Sequence, residues 1–179
     1  MAESFSNKLA RAVGNETSSS AGTVGVTTTK ITGISTGAVN VGDLIDNQHY
    51  IAGTKVATIG IGSVFADRDS TNTASASGQS VKFLSKTEVY QSPSGIKSII
   101  IGGTFANNTN NQVNLTVSVY DSSAAVESSI AQKIPVPSGS SFVISDAGKT
   151  LLESLDIVRV YCDVDNAIDV NLSILTGVS

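Results

Sequence analysis

Residues 113–120 read VNLTVSVY and residues 168–174 read IDVNLSI. In both, large apolar residues recur at every second position: Val113, Leu115, Val117 and Val119 in one, Ile168, Val170, Leu172 and Ile174 in the other. Asn, Thr, Ser and Asp fill the sites between them. Successive side chains of an extended chain point to opposite faces, so this period of two describes strands with one buried and one hydrated face. The alternation recurs at Ile99 and Ile101, from Ile130 to Ile134, at Phe142 and Ile144, and at Val158, Val160 and Cys162. Turn-forming clusters separate these runs at 107–111, 121–123, 135–141, 145–149 and 163–166. About seven strands at such spacing over about 90 residues are the signature of an antiparallel β-sandwich. Only Thr150 to Ser154 carries a hint of helix in this part.

Working back toward the N-terminus, residues 86–95 read KTEVYQSPSG, and Pro93 cannot continue a central strand. Before this boundary the apolar runs shorten and glycines crowd between them. Val24 and Val26, Val39 and Val41, Val56 with Ile59 and Ile61, and Val81 with Phe83 mark short strands. Gly33, Gly37, Gly42, Gly53, Gly60, Gly62 and Gly78 punctuate them as turns do. The expected organisation is all-β: a small Gly-rich β domain over 23–85, then an antiparallel β-sandwich over 86–179.

The first 22 residues read differently. Phe5, Leu9 and Val13 are spaced four apart with Lys8 and Arg11 on the other side, and NETSSSAG follows at 15–22 as a tether. The spacing predicts a short N-terminal arm over 1–22, helical or extended, that docks on a partner through Phe5, Leu9 and Val13. Lys8 and Arg11 are balanced by Glu3 and Glu16, so the docking would rest on the apolar stripe. Removing 1–22 should then leave both domains folded.

Composition narrows the function. The 179 residues, 18.3 kDa, contain 27 Ser and 17 Thr but only 15% charged residues, with a net charge of -4. Such a chain lacks the basic footprint of nucleic-acid binding. One Cys, one His and no Trp remove most metal and nucleophile chemistries. Cys162, among Val158, Val160 and Ile168, reads as a small core hydrophobe. No apolar run approaches the ~20 residues of a membrane span. MAESFSNKLARAVG at the start lacks the apolar core of a secretory signal.

Four groups of residues still invite chemistry. Asp163, Asp165 and Asp169 around Asn166 gather carboxylates as a calcium loop would, but Ala167 and Ile168 stand where a ligand and a glycine belong. Asp67 and Asp69, flanking Arg68, are paired acids without an aromatic sugar platform. His49 and Tyr50 form an isolated acid and base pair. Gly60 and Gly62 lack the lysine and the helix of a phosphate loop. The reading is a protein without catalytic residues, metal or cofactor.

The stretch GISTGAVNVGDLIDNQHYIAGTKVATIGIGSV, followed by STNTASASGQSVKF, resembles a small β module of bacteriophage virion and appendage proteins. Its matching residues are Val41, Gly42, Asp43, Leu44, Ile51, Gly53, Thr54, Val56, Ile59, Gly60, Gly62, Val64, Val81 and Phe83, with Ala52 in place of the module's usual proline. YQSPSG, VNLTVSVYDSS, IPVPSGSSFVI and DVNLSILTG resemble the β-sandwich domains of tailed-phage structural proteins, cyanophage myovirus ones in particular, and SNKLARAVG resembles their N-termini. The resemblance implies a non-enzymatic virion structural protein, made in the host cytoplasm. It would decorate or reinforce the capsid or head-tail neck as a cement protein does. The partners implied are other virion proteins and copies of the chain itself, a trimer being one arrangement, with neither nucleic acid nor membrane. The alternative is a tail-fibre or collar module that binds a host surface receptor.

Overall fold

The computed structural model describes residues 3–145 and 149–178. Among them every regular element is a strand. In chain order these are β1 (Ser4–Val13), β2 (Glu16–Val24), β3 (Lys30–Thr32), β4 (Leu44–Asp46), β5 (Val56–Gly60), β6 (Ser63–Ala66), β7 (Ala76–Leu84), β8 (Thr87–Gln91), β9 (Lys97–Asn107), β10 (Val113–Asp121), β11 (Val126–Val136), β12 (Ser141–Ile144), β13 (Thr150–Leu152), β14 (Ile157–Cys162) and β15 (Ile168–Val178). The protein is all-β, as its alternating pattern predicts, and the 150–154 segment is strand rather than helix where it is regular.

The chain forms two compact units, one made of 1–14 and 87–179, the other of 15–86. This corrects the expected boundaries: 1–22 is not an arm apart from the two domains. Spacing of four suits a helix, but it also returns a side chain to the same face of a strand. The hydroxyl-rich stretch 16–24 is a strand as well, because Thr17, Ser18 and Ser19 find ladder partners in Phe83, Lys82 and Val81.

In the first unit two antiparallel sheets face each other. One runs β1-β15-β9-β12, with β13 also on β9; the other runs β11-β10-β14-β8. Phe105, Ile168, Val170, Leu172 and Ile174 from the one sheet meet Leu115, Val117, Val158, Val160 and Cys162 from the other. Fully burying such a side chain contributes about 1.5–3 kcal/mol. Pro135, placed in a turn by its sequence, lies near the end of β11, an edge strand where a missing N–H is tolerated.

β1 joins this sandwich by pairing antiparallel with β15, Phe5 opposite Leu175 and Leu9 opposite Asn171. The ladder breaks between Ala10 and Val13. Ala12 sits there at φ 56°, and its N–H donates to Asp169 Oδ1 at 2.9 Å. This irregularity reverses the alternation, so Val13 turns inward and is 2% exposed. Gly14 follows at φ 126°, where a Cβ would stand 2.2 Å from the Val164 carbonyl oxygen. No other residue fits that approach.

The second unit is a six-stranded sheet in the order β4-β7-β2-β3-β6-β5. Its ends meet. Leu44 bridges Lys55, the Gly42 N–H donates to the Val56 carbonyl (2.8 Å), and the Ile45 N–H donates to the Thr54 carbonyl (2.8 Å). Closure of this kind removes exposed sheet edges. Val24, Ile31, Val64, Val81 and Phe83 fill the interior and are fully buried.

Candidate docking surface

The β1-β15-β9 sheet has an outer face of unusual character. Its inner face takes Ile168, Val170, Leu172 and Ile174, so the intervening side chains point away from the core. Register then aligns one apolar row across four strands: Phe5 opposite Leu175, Leu175 opposite Ile99, and Ile99 opposite Leu151. A second row runs Leu9, Asn171, Thr104 and Val143. Phe5 is 62% exposed, Leu9 75%, Leu151 51% and Val143 56%. Between Leu9, Thr104, Asp169 and Asn171 lies an open depression of about 430 Å³.

Of the three residues expected to dock on a partner, two are therefore on this surface. Phe5 and Leu9 share the outward face of β1. Val13 does not join them, since the reversed alternation places it in the sandwich core. Sequence reading missed Ile99, Leu151, Val143 and Leu175, which register brings beside Phe5 and Leu9 from distant positions.

A second depression, about 690 Å³, opens where β1 faces β8. Ser4, Ser6, Lys8, Glu88 and Gln91 line it, so it is a polar mouth in the sandwich.

On the outer side of the other sheet, Arg159 and Tyr161 alternate with core residues Val158, Val160 and Cys162. Arg159 Nη1 meets Glu127 Oε2 at 2.9 Å and its Nη2 meets Glu88 Oε1 at 3.0 Å. The guanidinium lies over the Tyr120 ring, 4.1 Å from its centroid. The Tyr161 hydroxyl donates to Glu127 Oε1 at 2.9 Å, and the Ser118 hydroxyl donates to the same oxygen. Burial opposes the guanidinium charge, whereas the hydrogen bonds it donates to Glu127 and Glu88 favour it, and the balance raises the Arg159 pKa above its ordinary value. Two carboxylates committed to one cation have little capacity for acid and base work. The network is a structural clamp across β8, β14, β10 and β11. The period-two signal at 158–162 does hint at it, by sending Arg159 to the face opposite the core.

The carboxylates that invite a cation have other tasks. Asp163 accepts from the Asn114 N–H at 2.7 Å and from its side-chain amide at 2.6 Å, and Asp169 holds Ala12. Among the described residues no group of three or more His, Cys, Asp or Glu side chains could hold a metal ion. Asp67 accepts from the Lys55 N–H at 2.8 Å. The Tyr50 hydroxyl donates to the Thr28 carbonyl at 3.1 Å, and burial with the charge of Asp69 pushes its pKa up to about 12. The His49 carbonyl accepts from the Thr71 N–H, which ties two loops together. Among the described residues no helix is long and apolar enough to cross a membrane.

No protein-family model matches the chain, and no curated protein matches it. Among solved structures it is similar to the isomalto-dextranase of Arthrobacter globiformis T6 in complex with panose, at 11% identity and a TM-score of 0.24. That match covers 86% of this chain and 36% of the other, so the chain spans little more than a third of that enzyme's length. A likeness this weak defines neither fold nor function.

Proposed function

We propose that the protein is a non-enzymatic structural component of a bacteriophage particle, attached to neighbouring capsid or neck subunits through the outer face of the β1-β15-β9 sheet. The observation that carries this reading is the outward apolar row Phe5, Leu175, Ile99 and Leu151 across four paired strands, exposed at its two ends and half-buried at Leu175 and Ile99. A sheet face of this kind is seldom left in water without a partner. The resemblance of 33–83 to phage β modules supplies the kind of partner. A symmetric particle would multiply individually weak contacts into firm attachment.

Cryo-electron microscopy of intact particles tests the reading. The expected result is density for the sandwich seated through Phe5, Leu9 and Leu151 on capsid or neck protein. The paired change Phe5→Ser and Leu151→Ser should lower its copy number while the isolated protein stays folded. Absence of the chain from purified particles would overturn the proposal.

The polar mouth between β1 and β8 favours a second reading, an appendage module that binds a host surface receptor. Hydroxyl, amide and charged groups there could hydrogen-bond a polar ligand such as a glycan. Binding to host cells or to a glycan array, abolished by Glu88→Ala with Gln91→Ala, would favour it over the first.

A further inference from the structure

We infer that β1 pairs with β1 of a second copy, antiparallel, in the register that sets Asn7 opposite Asn7 of that copy. β1 closes one side of its sheet, where β15 is its only ladder partner among the described residues. It is ten residues long and contains no proline, and its side chains from Ser4 to Ala12 are exposed or half-exposed. Such an edge presents unpaired backbone donors and acceptors to any complementary strand.

The strand is complementary to itself. With Asn7 on the two-fold axis, Phe5 falls opposite Leu9 of the second copy, and Leu9 opposite its Phe5. Glu3 falls opposite Arg11, again twice. Phe5, Asn7 and Leu9 share the outward face as odd-numbered positions of the ladder, Glu3 directly precedes β1, and Arg11, at the ladder break, lines the outward depression beside Leu9 and Asn171. On the inward face Ser6 meets Lys8 and Ser4 meets Ala10. Opposite charges and an aromatic with an aliphatic are the favourable cross-strand pairs, and no like charges are opposed. Shifting the axis to Lys8 would set Lys8 against Lys8 and Phe5 against Arg11. Moving it to Ser6 would set Glu3 against Leu9. Of these three registers, only the one on Asn7 pairs opposite charges and sets apolar residues against each other.

Pairing in this register would join the two sheets into one. The row through Phe5 would then continue across the seam into the row through Leu9 of the second copy, making one apolar face from two. The inference concerns the free protein and does not rest on its place in a virus particle.

Sedimentation of the full chain up to about 100 µM should show a monomer–dimer equilibrium. Arg11→Glu alone, or Glu3→Arg alone, places two like-charged pairs at the interface and should weaken the dimer roughly tenfold. The double variant E3R/R11E reverses every pair and should restore it, which also shows that neither single change acts through misfolding. Asn7→Cys should cross-link copy to copy with a short bifunctional maleimide, because Cys162 is buried and does not compete. A chain that remains monomeric, a trimer, or a dimer indifferent to the charge swaps would overturn the inference. So would an N7C variant that fails to cross-link while dimeric.

Discussion

Arg159 of β14 and Glu127 of β11 are joined at 2.9 Å on the side of their sheet that faces away from the sandwich core, yet their side chains are only 11% and 8% exposed. A pair this withdrawn from water depends on mutual compensation. Removing one partner leaves a buried charge, which costs about 3–5 kcal/mol, whereas replacing both by apolar groups is close to neutral. Arg159→Met or Glu127→Leu should therefore lower urea-unfolding stability by about 3 kcal/mol, and the double variant by much less. Glu88, whose side chain is 47% exposed, should matter by less than about 1 kcal/mol when changed to Gln.

Asp43 links the second unit to pH. Burial raises its pKa above the ordinary value of 3.8, against hydrogen bonds from the Asn40 N–H and the Ser85 hydroxyl and the charge of Lys86. A raised folded pKa means that the folded state holds the proton more tightly than the unfolded chain. The resulting stabilisation is complete below pH 3.8 and is lost as pH rises through the folded value. Urea midpoints at about pH 7 and about pH 4 should show parent protein gaining relative to Asp43→Asn on acidification. A parent protein that loses stability relative to Asp43→Asn on acidification would refute this.

Cys162 is fully buried, and desolvation pushes its thiol up to about 11. The thiolate is the reactive species, so the native protein should not react with a thiol-specific chromogen at about pH 8. Addition of denaturant should release one reactive thiol per chain, consistent with its single cysteine. Rapid reaction of the folded protein would place Cys162 outside the core.

Deleting residues 1–22 should unfold much of the protein, contrary to the expectation for a docking arm. β1 carries Val13 into the sandwich core, and β2 stands between β7 and β3 inside the closed sheet. Loss of a central strand exposes ladder groups on both neighbours. Near-ultraviolet circular dichroism and thermal melting of the truncated chain should show no cooperative transition for the 15–86 unit. A native-like melt would contradict the topology.

Much of the sandwich is legible in the sequence. Val113, Leu115 and Val117, and Ile168 through Ile174, announce both strand and buried face, because a period of two has one structural solution at that length. The candidate docking surface was half legible. Phe5 and Leu9 stand out as apolar residues in a polar segment, but Ile99, Leu151 and Val143 read as ordinary strand residues. Nothing local tells that register will line them up beside Phe5. Arg159 is likewise a single charge in an apolar run, and its partners Glu88 and Glu127 are 71 and 32 residues distant.

By itself the sequence determined that the chain is all-β, which positions of most strands point inward, and that a boundary lies near Lys86. Those properties follow from local alternation and from turn-forming residues. Tertiary structure alone decided that β1 belongs with β15 and β2 with β7, and that Val13 is core while Phe5 and Leu9 remain outside. Strand pairing is chosen by whole ladders of backbone hydrogen bonds between distant segments, and an irregularity at Ala12 reverses the alternation that a local pattern assumes.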